Sequence, residues 1–109
     1  MSTTRYEIDD LDLKFSEMDV SDIVFVADIE RRNYKYPWTK TIFSDCLSSG
    51  YLCTVANFND KIIGYSVVST SNYDAQILNL CVDEGSRGLG FGEKIIDLLI
   101  EDIKSRGLN

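Results

Sequence analysis

The chain has 109 residues, of which 44% are hydrophobic and 27% charged, with 18 acidic residues against 11 basic ones and a formal charge of −7. That length suits one small domain with its own core, and the composition is that of an ordinary globular protein rather than a disordered or fibrous one. The acidic balance excludes the Lys- and Arg-rich surface that draws proteins to phosphate backbones, and no apolar run approaches the roughly 20 residues that span a bilayer.

An acidic surface suits a basic partner, such as a Lys- and Arg-rich protein segment, by raising its encounter rate. Residues 1–7 lack the basic, then apolar, then small progression of a secretory signal, which predicts a cytoplasmic protein. Cys46, Cys53 and Cys81 are odd in number and without C-x-x-C spacing. They read as small buried hydrophobes, with neither a disulfide framework nor a metal site.

Residues 6–15 place Ile8, Leu11, Leu13 and Phe15 among acidic neighbours and predict a half-exposed first strand. Asp19 as N-cap and Asp22 three residues later predict a helix running to about Asn33 on the apolar stripe of Ile23, Val24, Ala27 and Ile29. Glu30, like the acidic residues of the first strand, reads as part of a solvated face. Pro37 pushes Tyr36 away from helical angles and ends that segment. Thr39 then caps a second helix through Leu47, with Gly50 closing it.

Residues 51–56 and 62–68 are rich in β-formers and read as a hairpin joined over 57–61. After a polar loop at 71–74, residues 76–82 form a further strand, apolar enough to be covered on both faces. A glycine cluster follows, and then a helix with Ile95, Ile96, Leu99 and Ile103 on one face. Lys104 and Arg106 sit near its C-terminus and Gly107 closes it. The whole predicts an α/β (α+β) layer with a mostly antiparallel sheet flanked by helices on both faces. The strand at 76–82 lies at an unfinished edge, because a neighbouring strand would begin at about Asn109. An apolar edge of that kind predicts a homodimer or an exchanged pair.

The informative segment runs from Leu78 to Glu93. An apolar strand enters a loop containing Gly85, Gly88, Gly90 and Gly92 and leaves as a helix. Several N–H groups then converge at a helix N-terminus without side chains in the way, which suits a phosphate, and Arg87 adds a charge. Glycines in a loop equally well serve only positive φ. Gly92-Glu93-Lys94 does not make the Gly-Lys-Ser/Thr of a Walker loop, and Gly88, Gly90 and Gly92 are not spaced as a dinucleotide fingerprint.

Arg87-x-x-Gly90-x-Gly92 directly after an apolar strand resembles the R/Q-x-x-G-x-G/A signature of the GNAT acetyltransferases. Pro37-Trp38-Thr39, the strand Asn79-Leu80-Cys81-Val82-Asp83 and the helix end Lys104-Ser105-Arg106-Gly107 are similar to the RimI branch, which acetylates the N-terminal alanine of a small-subunit ribosomal protein. The likeness covers about residues 19–109. It implies the GNAT fold in a single domain spanning residues 1–109, with acetyl-CoA as co-substrate, and transfer to a basic protein N-terminus. It also implies that Leu80, Cys81 and Val82 offer backbone groups to the pantetheine arm, and that the turn of Arg87, Gly88, Leu89, Gly90, Phe91, Gly92 and Glu93 holds the pyrophosphate.

By the same likeness Tyr36, Pro37 and Trp38 border the acceptor cleft, although a Pro-Trp corner also serves to plug a core. Cys81 invites a nucleophile reading, but no histidine exists to activate it. The branch's general base, a glutamate on the next strand, and its general acid, a later tyrosine, have no counterpart before Asn109. The expectation is therefore a domain lacking its C-terminal strands and helix, with no catalytic residue of its own. The alternative function is a CoA-binding or interaction module without turnover.

Overall fold

In the computed structural model, which describes residues 13–86 and 90–108, the capping pattern at Asp19 forms as its spacing predicts. The Asp19 carboxylate accepts from Ser21 N at 3.1 Å, while Asp19 N donates to Asp22 Oδ2 at 2.8 Å. This box opens a 3-10 turn at Val20–Asp22 that runs into helix α1, Ile23–Asn33. Thr39 Oγ1 accepts from Ile42 N at 3.3 Å and starts α2, Lys40–Ser48. Gly50 then reverses the chain at φ +77°.

Four strands follow chain order across one sheet: β1, Leu13–Glu17; β2, Leu52–Phe58; β3, Lys61–Ser71; and β4, Asp74–Val82. Each is antiparallel to the next. Only the end of the predicted first strand is seen, since residues 6–12 lie outside the described residues. The hairpins are tighter than anticipated. Asn59 and Asp60 both take positive φ, so a two-residue turn joins β2 to β3. Asn72 does the same between β3 and β4.

Alternation along the strands divides the core between two faces. On one face, Cys53, Val55, Tyr65, Val67 and Cys81 meet Ile23, Val26 and Ile29 of α1 and Phe43 and Cys46 of α2. On the other, helix α3, Phe91–Ser105, lays Ile95, Leu99 and Ile103 against Leu52, Ala56, Ile63 and Val68. Burying each such apolar side chain contributes roughly 1.5–3 kcal/mol. Two polar residues share the α3 face, and Thr54 and Ser66 satisfy one another at 2.5 Å. All three cysteines are buried and free. Burial pushes the Cys53 thiol up to about 11, and it also raises Cys46.

Two expectations need correction. The strand at 76–82 is not covered on both faces: Ile77 and Leu78 are exposed, and only Cys81 is buried. Among the described residues β4 has a neighbour on one side alone, so its outer half has nothing to pack against. Ile96 also leaves the predicted stripe and is exposed. At 100° per residue, positions 95, 99 and 103 align and position 96 turns away. No helix among the described residues is long and apolar enough to cross a membrane.

Candidate functional site

The far end of β4 is built so that its backbone is divided between two directions. Asp83 N donates to Ile63 O at 2.7 Å, which fixes the phase of the β3–β4 ladder. In an antiparallel pair the hydrogen-bonded positions alternate. Cys81, opposite Tyr65, therefore spends its backbone groups inside the sheet, while Leu80 and Val82 turn theirs to the outer edge. The three residues expected to act together separate accordingly, and Cys81 contributes only a buried side chain. A bulge lies just before them. Val67 pairs with Asn79 and Val68 with Ile77, leaving Leu78 as the extra residue that bends the strand.

Beyond β4 a short 3-10 turn, Glu84–Ser86, leads toward α3. Arg87, Gly88 and Leu89 lie outside the described residues. Gly90 sits at the helix N-cap with φ +86°, a left-handed conformation that glycine adopts without strain, and no side chain caps the helix there. The first helical bond runs from Lys94 N to Gly90 O, so the N–H groups of Phe91, Gly92 and Glu93 have no partner within the helix. Among the described residues, a Cβ at Gly90 would meet nothing within 4 Å and one at Gly92 would meet Val82 Cγ2, at 4.0 Å. This is the geometry of an anion site, with N–H groups and the positive end of the helix dipole pointing the same way.

On the other side of β4, the end of α1 grips the strand at successive points. Glu30, read from sequence as solvated, is 3% exposed. Its Oε1 accepts from Tyr65 Oη at 2.5 Å and from Asn79 Nδ2 at 2.9 Å, and its Oε2 accepts from Trp38 N at 3.0 Å. Burial, then the hydrogen bond to Glu30 and the Cys81 thiol, push Tyr65 far above its ordinary pKa, so it stays a donor. One carboxylate thus ties the Tyr-Pro-Trp segment, the sheet floor and β4 together. The signal for it was present: Glu30 follows Ile23 and Val26 at helical spacing, on the apolar face.

Glu30, Trp38 and Asn79 wall a cleft of about 520 Å³ that also includes Tyr34, Tyr36 and Leu78. Tyr34 Oη donates to Leu80 O at 3.0 Å, a contact sequence reasoning missed. Of the three predicted acceptor residues, Tyr36 and Trp38 line this cleft, whereas Pro37 faces a separate groove between α1 and α2. Trp38 also packs its ring on Phe43, 5.3 Å between centroids. The corner therefore plugs the core and borders the cleft at once.

Where β4 ends, Arg32 Nη1 reaches Asp83 Oδ1 at 2.8 Å, Arg32 Nη2 reaches Oδ2 at 3.3 Å, and Asn33 Nδ2 adds a bond to Oδ1 at 3.2 Å. Burial alone would raise the Asp83 carboxyl, but the Arg32 and Asn33 bonds outweigh it and hold it below the usual 3.8. A depressed carboxylate stabilises the fold above its unfolded pKa and loses that contribution as pH falls through the folded one. Because Arg32 is partly exposed, the contribution is about 1–2 kcal/mol. Asp83→Asn should be less stable than the parent by that amount at neutral pH, and the gap should close as pH drops below about 4. Urea midpoints across that range check it, and a gap that persists in acid would mean that the titration of Asp83 is not its source.

Residues 18–109 match the acetyltransferase (GNAT) family. The ribosomal protein bS18-alanine N-acetyltransferase of Escherichia coli K12 is 24% identical over 93 residues, covering 85% of this chain and 63% of the relative. The chain thus spans under two thirds of the length of that curated relative. The crystal structure of the Escherichia coli ribosomal-protein-S18-alanine N-acetyltransferase superposes with a TM-score of 0.82 at 23% identity, covering 88% of this chain and 62% of that one. The PaiA N-acetyltransferase of Thermoplasma acidophilum, solved with coenzyme A, superposes at 0.77 with 13% identity, covering 90% and 76%. The helix-flanked antiparallel sheet is the fold these structures share, and with the family match running from Met18 to the last residue, the chain belongs to the acetyltransferase (GNAT) family.

Proposed function

We propose that this chain binds acetyl-CoA along the outer edge of β4 and over the N-terminus of α3, and serves acetyl transfer to a protein N-terminal amine. The observation that carries the reading is the continuity of the two features. Leu80 and Val82 turn backbone groups to the outer edge of β4, and within a few residues the chain reaches a helix start at Gly90 with three N–H groups unclaimed by the helix. The edge suits the amides of an extended arm and the helix start suits a pyrophosphate. Acetyl-CoA supplies the thioester that an acceptor amine attacks. The protein's part is to orient the arm and to border the acceptor with Tyr36 and Trp38.

A basic protein N-terminus is the acceptor class we favour, supported by relatives named for a ribosomal protein alanine and by the charge of −7, and the same reading puts the chain in the cytoplasm. Binding without turnover is the second reading. Glu30 is the carboxylate that lines the cleft, and both its oxygens already accept hydrogen bonds. A second copy of the chain is the rival occupant of the β4 edge.

Hydrogen exchange with and without acetyl-CoA tests the reading. Saturating ligand should protect the amides of residues 87–93, and Gly90→Glu should abolish that protection by setting bulk and negative charge against the phosphates. Each charge-assisted bond lost there is worth about 1.5–3 kcal/mol. Unchanged exchange in the parent would sink the proposal. Protection without release of free CoA thiol, when an N-terminal alanine peptide is added, would favour the second reading.

A further inference from the structure

Among the described residues the fold buries two carboxylates, Asp83 and Glu30. Asp83 meets the Arg32 guanidinium. Glu30 meets only neutral donors: the Tyr65 hydroxyl at 2.5 Å, the Asn79 amide at 2.9 Å and the Trp38 backbone N–H at 3.0 Å. No lysine or arginine among the described residues forms an ion pair with it. Lys35, which shares the cleft wall, is exposed and lies over the Tyr36 ring, with Nζ 5.5 Å from the ring centroid. Buried charges are ordinarily paired, because desolvating one alone is costly. Glu30 is the exception here, and it sits in the wall of a cleft, between Trp38 and Asn79.

We propose that Glu30 is the anionic subsite of this cleft and holds the ammonium form of the acceptor's N-terminal amine. The inference rests on the acceptor part of the reading above and deepens it, by naming the group that selects a free, charged terminus. A carboxylate offers about four lone-pair places. Oε1 has accepted from Tyr65 and Asn79 and Oε2 from Trp38 alone, so Oε2 keeps a place for a further N–H. The same three bonds fix the carboxylate, and its charge needs no reorganisation to meet a cation. A charge held in a low-dielectric wall also attracts a cation more strongly than it would in water. The exposed Ile77 and Leu78 give the cleft apolar surface on which a charged and an uncharged terminus gain alike, which leaves Glu30 to tell them apart. Leu80, assigned above to the pantetheine arm, lines the same cleft. In this role Glu30 binds the amine and takes no proton from it.

Two peptides, titrated calorimetrically with CoA present, test the assignment. One begins with alanine, and the other carries a propionyl group in place of that residue and so lacks only the amine. A charge-assisted hydrogen bond corresponds to about a 10- to 100-fold preference. The parent should favour the alanine peptide by that factor, and Glu30→Gln should bind the two about equally. Because Glu30→Gln also loses stability, Tyr65→Phe is its companion. It removes one donor and leaves the charge, so it should unfold at lower urea yet keep the preference. Equal binding of both peptides by the parent would overturn the proposal. A preference that survives in Glu30→Gln would do the same and leave Glu30 a structural tie, and so would a preference lost equally in Tyr65→Phe, since the packing and not the charge would then be its source. The cofactor reading is judged apart, by the protection of residues 87–93. Protection by CoA with neither peptide bound removes this inference and leaves that reading standing, whereas the predicted preference without protection supports Glu30 and removes the cofactor site.

Discussion

Glu30→Ala should destabilise the chain by about 3–5 kcal/mol, a larger effect than the removal of any other buried polar side chain among the described residues. The substitution strands three donors: Tyr65 Oη, Asn79 Nδ2 and Trp38 N. A buried donor left without a partner costs about 1–3 kcal/mol, and water entering from the adjacent cleft offsets part of the sum. Glu30→Gln should cost less, about 1–3 kcal/mol, because an amide keeps the volume and one acceptor but turns an N–H toward one of the former donors. Urea unfolding of the three proteins measures the series. A loss under about 0.5 kcal/mol for Glu30→Ala would match a solvated surface carboxylate instead. The same variant should loosen the Tyr-Pro-Trp segment, which is visible as faster exchange at the Trp38 amide.

Gly64→Ala should cost about 2–3 kcal/mol through overpacking. A Cβ at this position would stand 2.8 Å from Cys81 O and 3.2 Å from Ile95 Cδ1. The second contact can relax by a side-chain adjustment. The first cannot, because Cys81 O belongs to the neighbouring strand and can yield only if β3 and β4 part. Gly64 also lies opposite Val82, the residue that leads into the glycine turn. Any parting of the strands would therefore misdirect the edge groups at Leu80 and Val82 and, if the proposed cofactor site is right, weaken CoA binding as well as stability. Thermal unfolding and CoA titration on the variant report the two effects. Full stability would mean that the sheet opens there without cost, and that the close approach of α3 does not depend on the missing side chain.

Much of the fold was legible from local chemistry. The Asp19 and Thr39 caps, the hairpin, the left-handed Gly50, Gly90 and Gly107, and the 95, 99, 103 stripe all formed as the residues themselves dictate. Each depends on interactions within a few positions, or on a periodicity that survives any tertiary arrangement. The helix start at Gly90 was legible for the same reason, since an αL conformation there favours a residue without Cβ.

Other features required the tertiary structure. Glu30 carries an acidic side chain on an apolar face, and its burial follows only when Tyr65, Asn79 and the Trp38 backbone, distant in sequence, arrive with donors. Whether Leu80, Cys81 or Val82 turns backbone groups outward depends on the phase of the β3–β4 ladder, which the Asp83–Ile63 bond and the bulge at Leu78 set. Ile77 and Leu78 look like core residues in a strand pattern and are exposed because, among the described residues, β4 has a neighbouring strand on one side alone. The sequence by itself determined which segments become helix, strand and turn, because those choices are made by neighbours along the chain. The tertiary structure alone decided which polar groups are buried, which carbonyl faces the edge and that Tyr34 reaches it, because those depend on partners that only the folded chain brings within 3 Å.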